Sequence, residues 1–100
     1  MKRELLPSQK RLLDELGENF RLARLRRDLS SVQVAERAGI SRNTLIKIEH
    51  GDEGVAIGLY LRVLASLGLS NDILKVAADD ELGRKLQDLK LTVKERASRK

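Results

Sequence analysis

One hundred residues suit one ordinary domain, and 20 Lys and Arg against 15 Asp and Glu leave a net charge of +5. Hydrophobic residues make up 41% of the chain, enough for one small core rather than two; 19 of them are leucine and only Phe20 and Tyr60 are aromatic, a bias toward helices. With no Cys and a single imidazole, His50, the chain excludes disulfides, Fe–S clusters, thiolate catalysis and Cys- or His-rich metal sites. No apolar stretch approaches the roughly 20 residues of a membrane span. The N-terminus, Met1-Lys2-Arg3-Glu4-Leu5-Leu6-Pro7, lacks a long apolar region and a cleavage site, so no signal peptide and a cytoplasmic, nucleoid-associated residence are expected. The charge is uneven: residues 1–30 carry 8 basic and 5 acidic side chains, residues 52–78 carry 2 and 3, and residues 79–100 carry 7 and 5. Basic ends around an acidic middle are a mild form of the footprint of a nucleic-acid binder.

In chain order, Pro7 and Ser8 predict a helix start, since Pro cannot continue a preceding helix and Ser caps orphan amides. Leu12, Leu13, Leu16, Phe20 and Ala23 recur at helical spacing, giving a first helix over Ser8 to Arg27. Leu22 and Leu25 lie off that stripe, so the helix has either a wide buried face or a second apolar edge for a partner. Ser30 or Ser31 caps a second helix with Val34, Ala35 and Ala38 inward, ending at Gly39. Ser41 caps a third, with Leu45 and Ile48 inward, ended by His50-Gly51. After the polar loop Asp52-Glu53-Gly54, a fourth helix over Ile57 to Leu67 carries Leu61, Leu64 and Ala65, and Gly68 ends it. Ser70-Asn71-Asp72 starts a short fifth helix through Ile73, Leu74 and Ala77.

The tail changes period. Leu82, Leu86 and Leu89 follow helical spacing, whereas Leu89, Leu91 and Val93 alternate with Lys90, Thr92 and Lys94 at period two. A short helix running into a short strand fits both patterns, and a strand this short needs an edge, most simply the same strand of a second copy. Leu89, Leu91 and Val93 are thus the expected dimerisation residues, and the last four residues, from Ala97 to Lys100, are expected to be disordered.

The stretch Leu29 to Gly51, LSSVQVAERAGISRNTLIKIEHG, has the logic of two helices crossing through a tight turn. Ala35 is small where the helices touch, Gly39 takes the left-handed conformation of the turn, and Ile40 plugs the angle. Leu45 and Ile48 anchor the second helix. Arg42, Asn43, Ile46 and Lys47 then fall on its outer face.

These residues resemble the XRE family of lambda-repressor-like helix-turn-helix DNA-binding domains. The match runs without a gap through Leu29, Ser30, Val34, Ala35, Ala38, Gly39, Ile40, Ser41, Leu45, Ile48, Glu49 and Gly51. The resemblance implies an all-α, five-helix fold with its DNA-binding domain over residues 13–77, preceded over 1–12 by an N-terminal extension and the start of the first helix, and followed by a C-terminal extension over 78–100 for dimer or partner contact. It also implies that the second helix of the motif enters the major groove. Arg42, Asn43 and Lys47 become the candidate base readers, by chemistry suited to guanine O6 and N7 and to adenine N6 and N7. Ser31, Ser41, Thr44 and His50 are candidate phosphate contacts, with Gln33 a further one. Arg24 and Glu49 are implied to form a structural ion pair. The loop residues Asp52 and Glu53 are acidic where many relatives of this kind are basic.

Asp80-Glu81-Leu82-Gly83-Arg84-Lys85-Leu86 resembles the C-terminal extension of HipB-like antitoxins, regulators encoded beside HipA-type kinase toxins. That resemblance implies a homodimer on a palindromic double-stranded operator in its own promoter, with a HipA-like kinase as partner. The alternative is a stand-alone phage or metabolic repressor. Leu22, Leu25 and Leu5-Leu6 are candidate docking patches. No enzymatic activity, cofactor, metal or membrane association is expected.

Overall fold

Helix formation begins where the backbone's orphan groups find partners. The computed structural model describes the backbone of residues 4–98 and the side chains of residues 4–91. In chain order it contains α1 (Pro7–Arg26), α2 (Ser31–Ala38), α3 (Arg42–Glu49), α4 (Ile57–Ser66), a 3₁₀ helix (Ser70–Lys75) and α5 (Glu81–Ser98). Among the described residues the structure is all helical, with no strand and no helix long and apolar enough to cross a membrane.

Pro7 occupies the first helical position of α1, where its missing N–H costs nothing. The cap is therefore Leu6 rather than Ser8, and the Leu6 N–H is satisfied by Gln9 Oε1 at 3.0 Å. In α2, Ser30 is the cap: its Oγ accepts from the Gln33 N–H at 3.1 Å, while Gln33 Oε1 accepts from the Ser30 N–H at 2.8 Å. This reciprocal pair satisfies two orphan donors at once. Ser41 caps α3 in the simpler way, its Oγ accepting from the Thr44 N–H at 3.1 Å. Gly39 ends α2 at φ +68°, and the Ile40 N–H reaches back to the Ala35 carbonyl at 3.0 Å. That left-handed bend is the turn of the motif, and a Cβ-free residue adopts it without steric cost.

The chain forms two compact units, Met1–Ser70 and Asn71–Lys100. The core of the first is Phe20 and Ala23 of α1, Val34, Ala35 and Ala38 of α2, Leu45 and Ile48 of α3, and Tyr60, Val63, Leu64 and Leu67 from α4 and its end. Phe20 and Tyr60 meet edge to face with ring centroids 5.5 Å apart. The Tyr60 hydroxyl donates to the Asp52 carbonyl at 3.0 Å, tying α4 to the loop after α3.

Several expected inward positions differ. Leu12 and Leu16 are exposed, and the face of α1 that turns inward runs through Leu13, Gly17, Phe20 and Arg24. The reason is a close approach in which glycine, not leucine, fills the middle of the contact. Leu22 and Leu25 are about two-fifths exposed, the second apolar edge rather than part of a wide buried face. On α4, Leu61 and Ala65 face outward while Tyr60, Val63 and Leu64 are buried, because the large aromatic ring sets the rotation of the helix. The fifth short helix is a 3₁₀ turn that stops at Lys75, with Leu74 72% exposed.

In the second unit, the expected strand from Leu89 to Lys94 is part of α5. The start of this helix is fixed by Asp80, whose carboxylate accepts from the Gly83 N–H at 3.1 Å. In a single chain no neighbouring strand exists to satisfy an extended segment, whereas a helix satisfies its backbone internally. Leu89 and Leu91 are exposed; Val93 lies outside the described side chains. Of the last four residues, expected to be disordered, Ala97 and Ser98 belong to α5, and 99–100 lie outside the described residues.

Candidate nucleic-acid interface

The two eight-residue helices α2 and α3 are too short to persist alone in water, so their placement depends on what grips them. α3 is gripped by α1 in three ways. First, the backbones meet almost directly. A Cβ placed on Gly17 would lie 2.6 Å from the Glu49 carbonyl oxygen and 2.7 Å from that of Ile48, and one on Gly51 would lie 2.5 Å from the Leu13 carbonyl oxygen. No other residue fits these two positions without separating the helices.

Second, Arg24 of α1 and Glu49 of α3 form a two-pronged ion pair. Arg24 Nε donates to Glu49 Oε2 at 2.8 Å and its Nη2 to Glu49 Oε1 at 3.0 Å, with side chains only 13% and 8% exposed. Arg24 Nη1 also donates to the Leu29 carbonyl at 3.0 Å, so one guanidinium joins the end of α1, the entry to α2 and the end of α3. The hydrogen bond to Glu49 holds the Arg24 guanidinium above its ordinary range, against the opposing effect of desolvation. Third, Lys10 Nζ donates to the His50 and Gly51 carbonyls at 3.1 and 3.0 Å while pairing with Asp14 at 2.5 Å. A cation there meets the negative end of the α3 dipole.

So held, α3 turns Leu45 and Ile48 fully inward and leaves Arg42, Asn43, Ile46, Lys47 and His50 on an arc of about 140° at 100° per residue. Arg42, Asn43 and Lys47 are all exposed. Arg42 Nε donates to Ser31 Oγ at 3.2 Å, joining the first turns of α3 and α2. No hydrogen bond or ion pair engages the Asn43 or Lys47 side chains among the described residues. Ser41 and Thr44 hydroxyls lie 2.9 Å apart beside the same helix start. Arg42, Asn43, Ser31, Ser41 and Thr44 therefore gather where α2 and α3 begin, and Lys47 lies one turn further along α3.

Gln33 and His50 stand differently. The Gln33 side-chain oxygen is committed to the Ser30 N–H, leaving its amide NH₂ as the available donor. His50 is the C-cap of α3, with Nδ1 2.9 Å from the Ile46 carbonyl; in the tautomer that donates this bond, Nε2 is an acceptor, and only a protonated ring also offers an Nε2–H to an anion. His50 shares a shallow groove of about 270 Å³ with Lys10, Ile46, Lys47, Asp52 and Glu53, where cations and carboxylates mix. Past the end of α3, Lys10 and Lys47 thus share their surroundings with the carboxylates of Asp52 and Glu53.

Lys10, Gly17 and Gly51 are the residues of this site whose positioning work is not legible in the sequence. Gly51 is a visible helix stop, but its closeness to Leu13 is not; Gly17 reads as a helix-weakening glycine; Lys10 reads as an exposed i,i+4 partner of Asp14. None carries a local signal for a partner about 40 residues away. Among the described residues no group of three or more His, Cys, Asp or Glu is placed to hold a metal ion.

Comparison with known proteins agrees with this geometry. Residues 15–74 match the family model described as a helix-turn-helix domain. No curated protein matches the chain. The match covers more than half of the sequence, and the chain belongs to the helix-turn-helix domain family, XRE-like, whose members bind DNA as regulators.

Proposed function

We propose that this member of the helix-turn-helix domain family is a homodimeric repressor that binds a palindromic operator in its own promoter, as the DNA-binding antitoxin of a HipA-like kinase toxin. The observation that carries the DNA-reading part is the exposed Arg42, Asn43 and Lys47 row on a helix whose inner face is fixed by the Arg24–Glu49 pair. Arg42 and Lys47 donate to guanine and Asn43 pairs with adenine, while Ser31, Ser41 and Thr44 hold phosphates beside them. Gln33 assists at the backbone through its amide NH₂, and His50 through an Nε2–H when its ring is protonated. Two recognition helices about 34 Å apart read half-sites one helical turn apart. The acidic Asp52 and Glu53 repel phosphate beyond the end of α3, so two copies are needed for useful affinity.

The antitoxin role is supported by the resemblance of Asp80 to Leu86 to the extension of HipB-like proteins. The protein acts in the cytoplasm, on the nucleoid, as a binding module without catalysis or cofactor.

Footprinting on its own promoter tests the first part: a palindromic protected site is expected, and its absence refutes operator binding. Arg42→Ala with Lys47→Ala should abolish protection while the unfolding midpoint stays put, and the log of affinity should fall with log salt by about 0.9 per phosphate contact. Co-purification with the product of the adjacent gene tests the second part. A kinase held equally by wild type and double variant supports the antitoxin; a neighbourhood without a kinase favours the stand-alone repressor.

A further inference from the structure

One outer position of α3 carries an apolar side chain. Leu45 and Ile48 are fully buried and anchor the helix, and Ile46 and Lys47 each stand about 130° around it from the direction midway between those anchors. Ile46 is therefore turned as far from the core as Lys47. It is partly exposed, and the other residues lining the groove beside it, Lys10, Lys47, His50, Asp52 and Glu53, are all polar. Its apolar surface has no apolar neighbour in that groove. An isoleucine there also weakens a helix of only eight residues, because a β-branched side chain loses χ1 freedom against the preceding turn.

The place of Ile46 within the recognition row gives that surface a use. With α3 taken as the helix that enters the major groove, Arg42, Ile46 and Asn43 lie at about 0°, 40° and 100° around its axis. Ile46 thus sits between the two in angle, one turn beyond Arg42 and about 4.5 Å along the axis from Asn43. The donors of Arg42 and Lys47 suit guanine, and the amide of Asn43 suits adenine. None of the three recognises the group that marks thymine, its C5-methyl, which projects into the same groove and is read by apolar contact. On a helix, a β-branched side chain holds essentially one χ1 rotamer. The methyls of Ile46 are accordingly presented in one direction, and little side-chain freedom remains to be lost on contact.

We infer that Ile46 is a specificity-determining residue that reads the C5-methyl of a thymine in the major groove, beside the bases addressed by Arg42 and Asn43. The inference rests on the reading of α3 as the recognition helix and deepens it, adding a thymine requirement to a row otherwise matched to guanine and adenine. Neither the second copy nor the kinase partner enters into it.

Selection of bound duplexes from a random pool with the full chain, followed by replacement of each selected thymine by uracil in turn, tests it. Uracil lacks only the methyl, so base pairing and the hydrogen-bonding groups of the groove stay as they were. At one thymine of the bound site the replacement should weaken binding by about threefold to fivefold, as expected for one methyl removed from an apolar contact. In Ile46→Ala the same replacement should cost less than about 1.5-fold, whereas Ile46→Val, which keeps the branched apolar surface, should retain a penalty of about twofold or more. Each penalty is a ratio within one protein, so a general loss of affinity or stability in a variant cancels. An enriched sequence that tolerates uracil at every thymine overturns the inference and leaves α3 as the recognition helix. A penalty that persists undiminished in Ile46→Ala does the same. A pool from which no sequence is enriched refutes base reading by α3, and the inference with it.

Discussion

The units Met1–Ser70 and Asn71–Lys100 contain leucine at nearly the same density, 14 residues in 70 and 5 in 30, yet use it in opposite ways. The first buries Val34, Leu45, Ile48 and Val63 completely; in the second no side chain from 71 to 91 is buried. The short helices α2 and α3 of the first unit exist because caps and neighbours hold them, whereas α5 is sustained by its own length of 18 residues and an N-terminal Asp80. Apolar content therefore does not by itself make a core. What separates the units is whether each apolar face meets a second element of the same unit, and a polar pair behaves in the same way.

The largest expected difference lies in ion pairs. Glu49→Ala strands the guanidinium of Arg24, whose side chain is 13% exposed, and should lower the unfolding free energy by about 3–5 kcal/mol in a denaturant titration. Lys85→Ala removes a contact to Glu81 of 3.7 Å between side chains that are 71% and 77% exposed, and should change stability by less than about 0.5 kcal/mol. Equal losses would erase the distinction between the two units. Because Glu49 lies on α3, its loss should also lower DNA affinity by more than the unfolded fraction accounts for.

A smaller effect, of about 1–3 kcal/mol, is expected from Gly17→Ala, since the new methyl would press on the carbonyls of Ile48 and Glu49. The better helix propensity of alanine offsets at most about 1 kcal/mol, so a net stabilisation would show that α1 and α3 are not locked at this point. Gly17 also marks the boundary of what sequence reveals. The caps Ser30 and Ser41, the turn at Gly39 and the anchors Leu45 and Ile48 are legible because each acts over three or four residues. The inward face of α1 is not, because its central contact is a residue without a side chain, and the apolar period then selects Leu12 and Leu16 instead. On α5 the difficulty is different: Leu89 belongs to two periods at once, and only the observed helix decides between them. The outer row Arg42, Asn43 and Lys47 follows from the anchors by geometry, but Lys10 at the far end of α3 depends on a contact spanning 40 positions.

The smallest effect concerns Tyr60, and pH sharpens it. Burial, reinforced by the nearby charge of Asp52, raises the Tyr60 phenol above its ordinary value, with Lys10 opposing in part. The ordinary value is about 10, so above that pH the unfolded chain surrenders the phenolic proton while the folded chain still holds it. Stability from this group is complete below about pH 10 and is lost as pH rises through the folded value. Tyr60→Phe should cost about 0.5–1.5 kcal/mol at neutral pH, by removing the 3.0 Å bond to the Asp52 carbonyl. The gap between wild type and variant should then narrow in urea titrations carried upward from about pH 9. The two proteins share every other ionisable group, so the difference reads the phenol together with its coupling to Lys10; a gap constant with pH would mean that the phenol is open to water. In that case α4 would not be tied to the loop after α3, and the first unit would be less firmly closed around its recognition helix than its buried core implies.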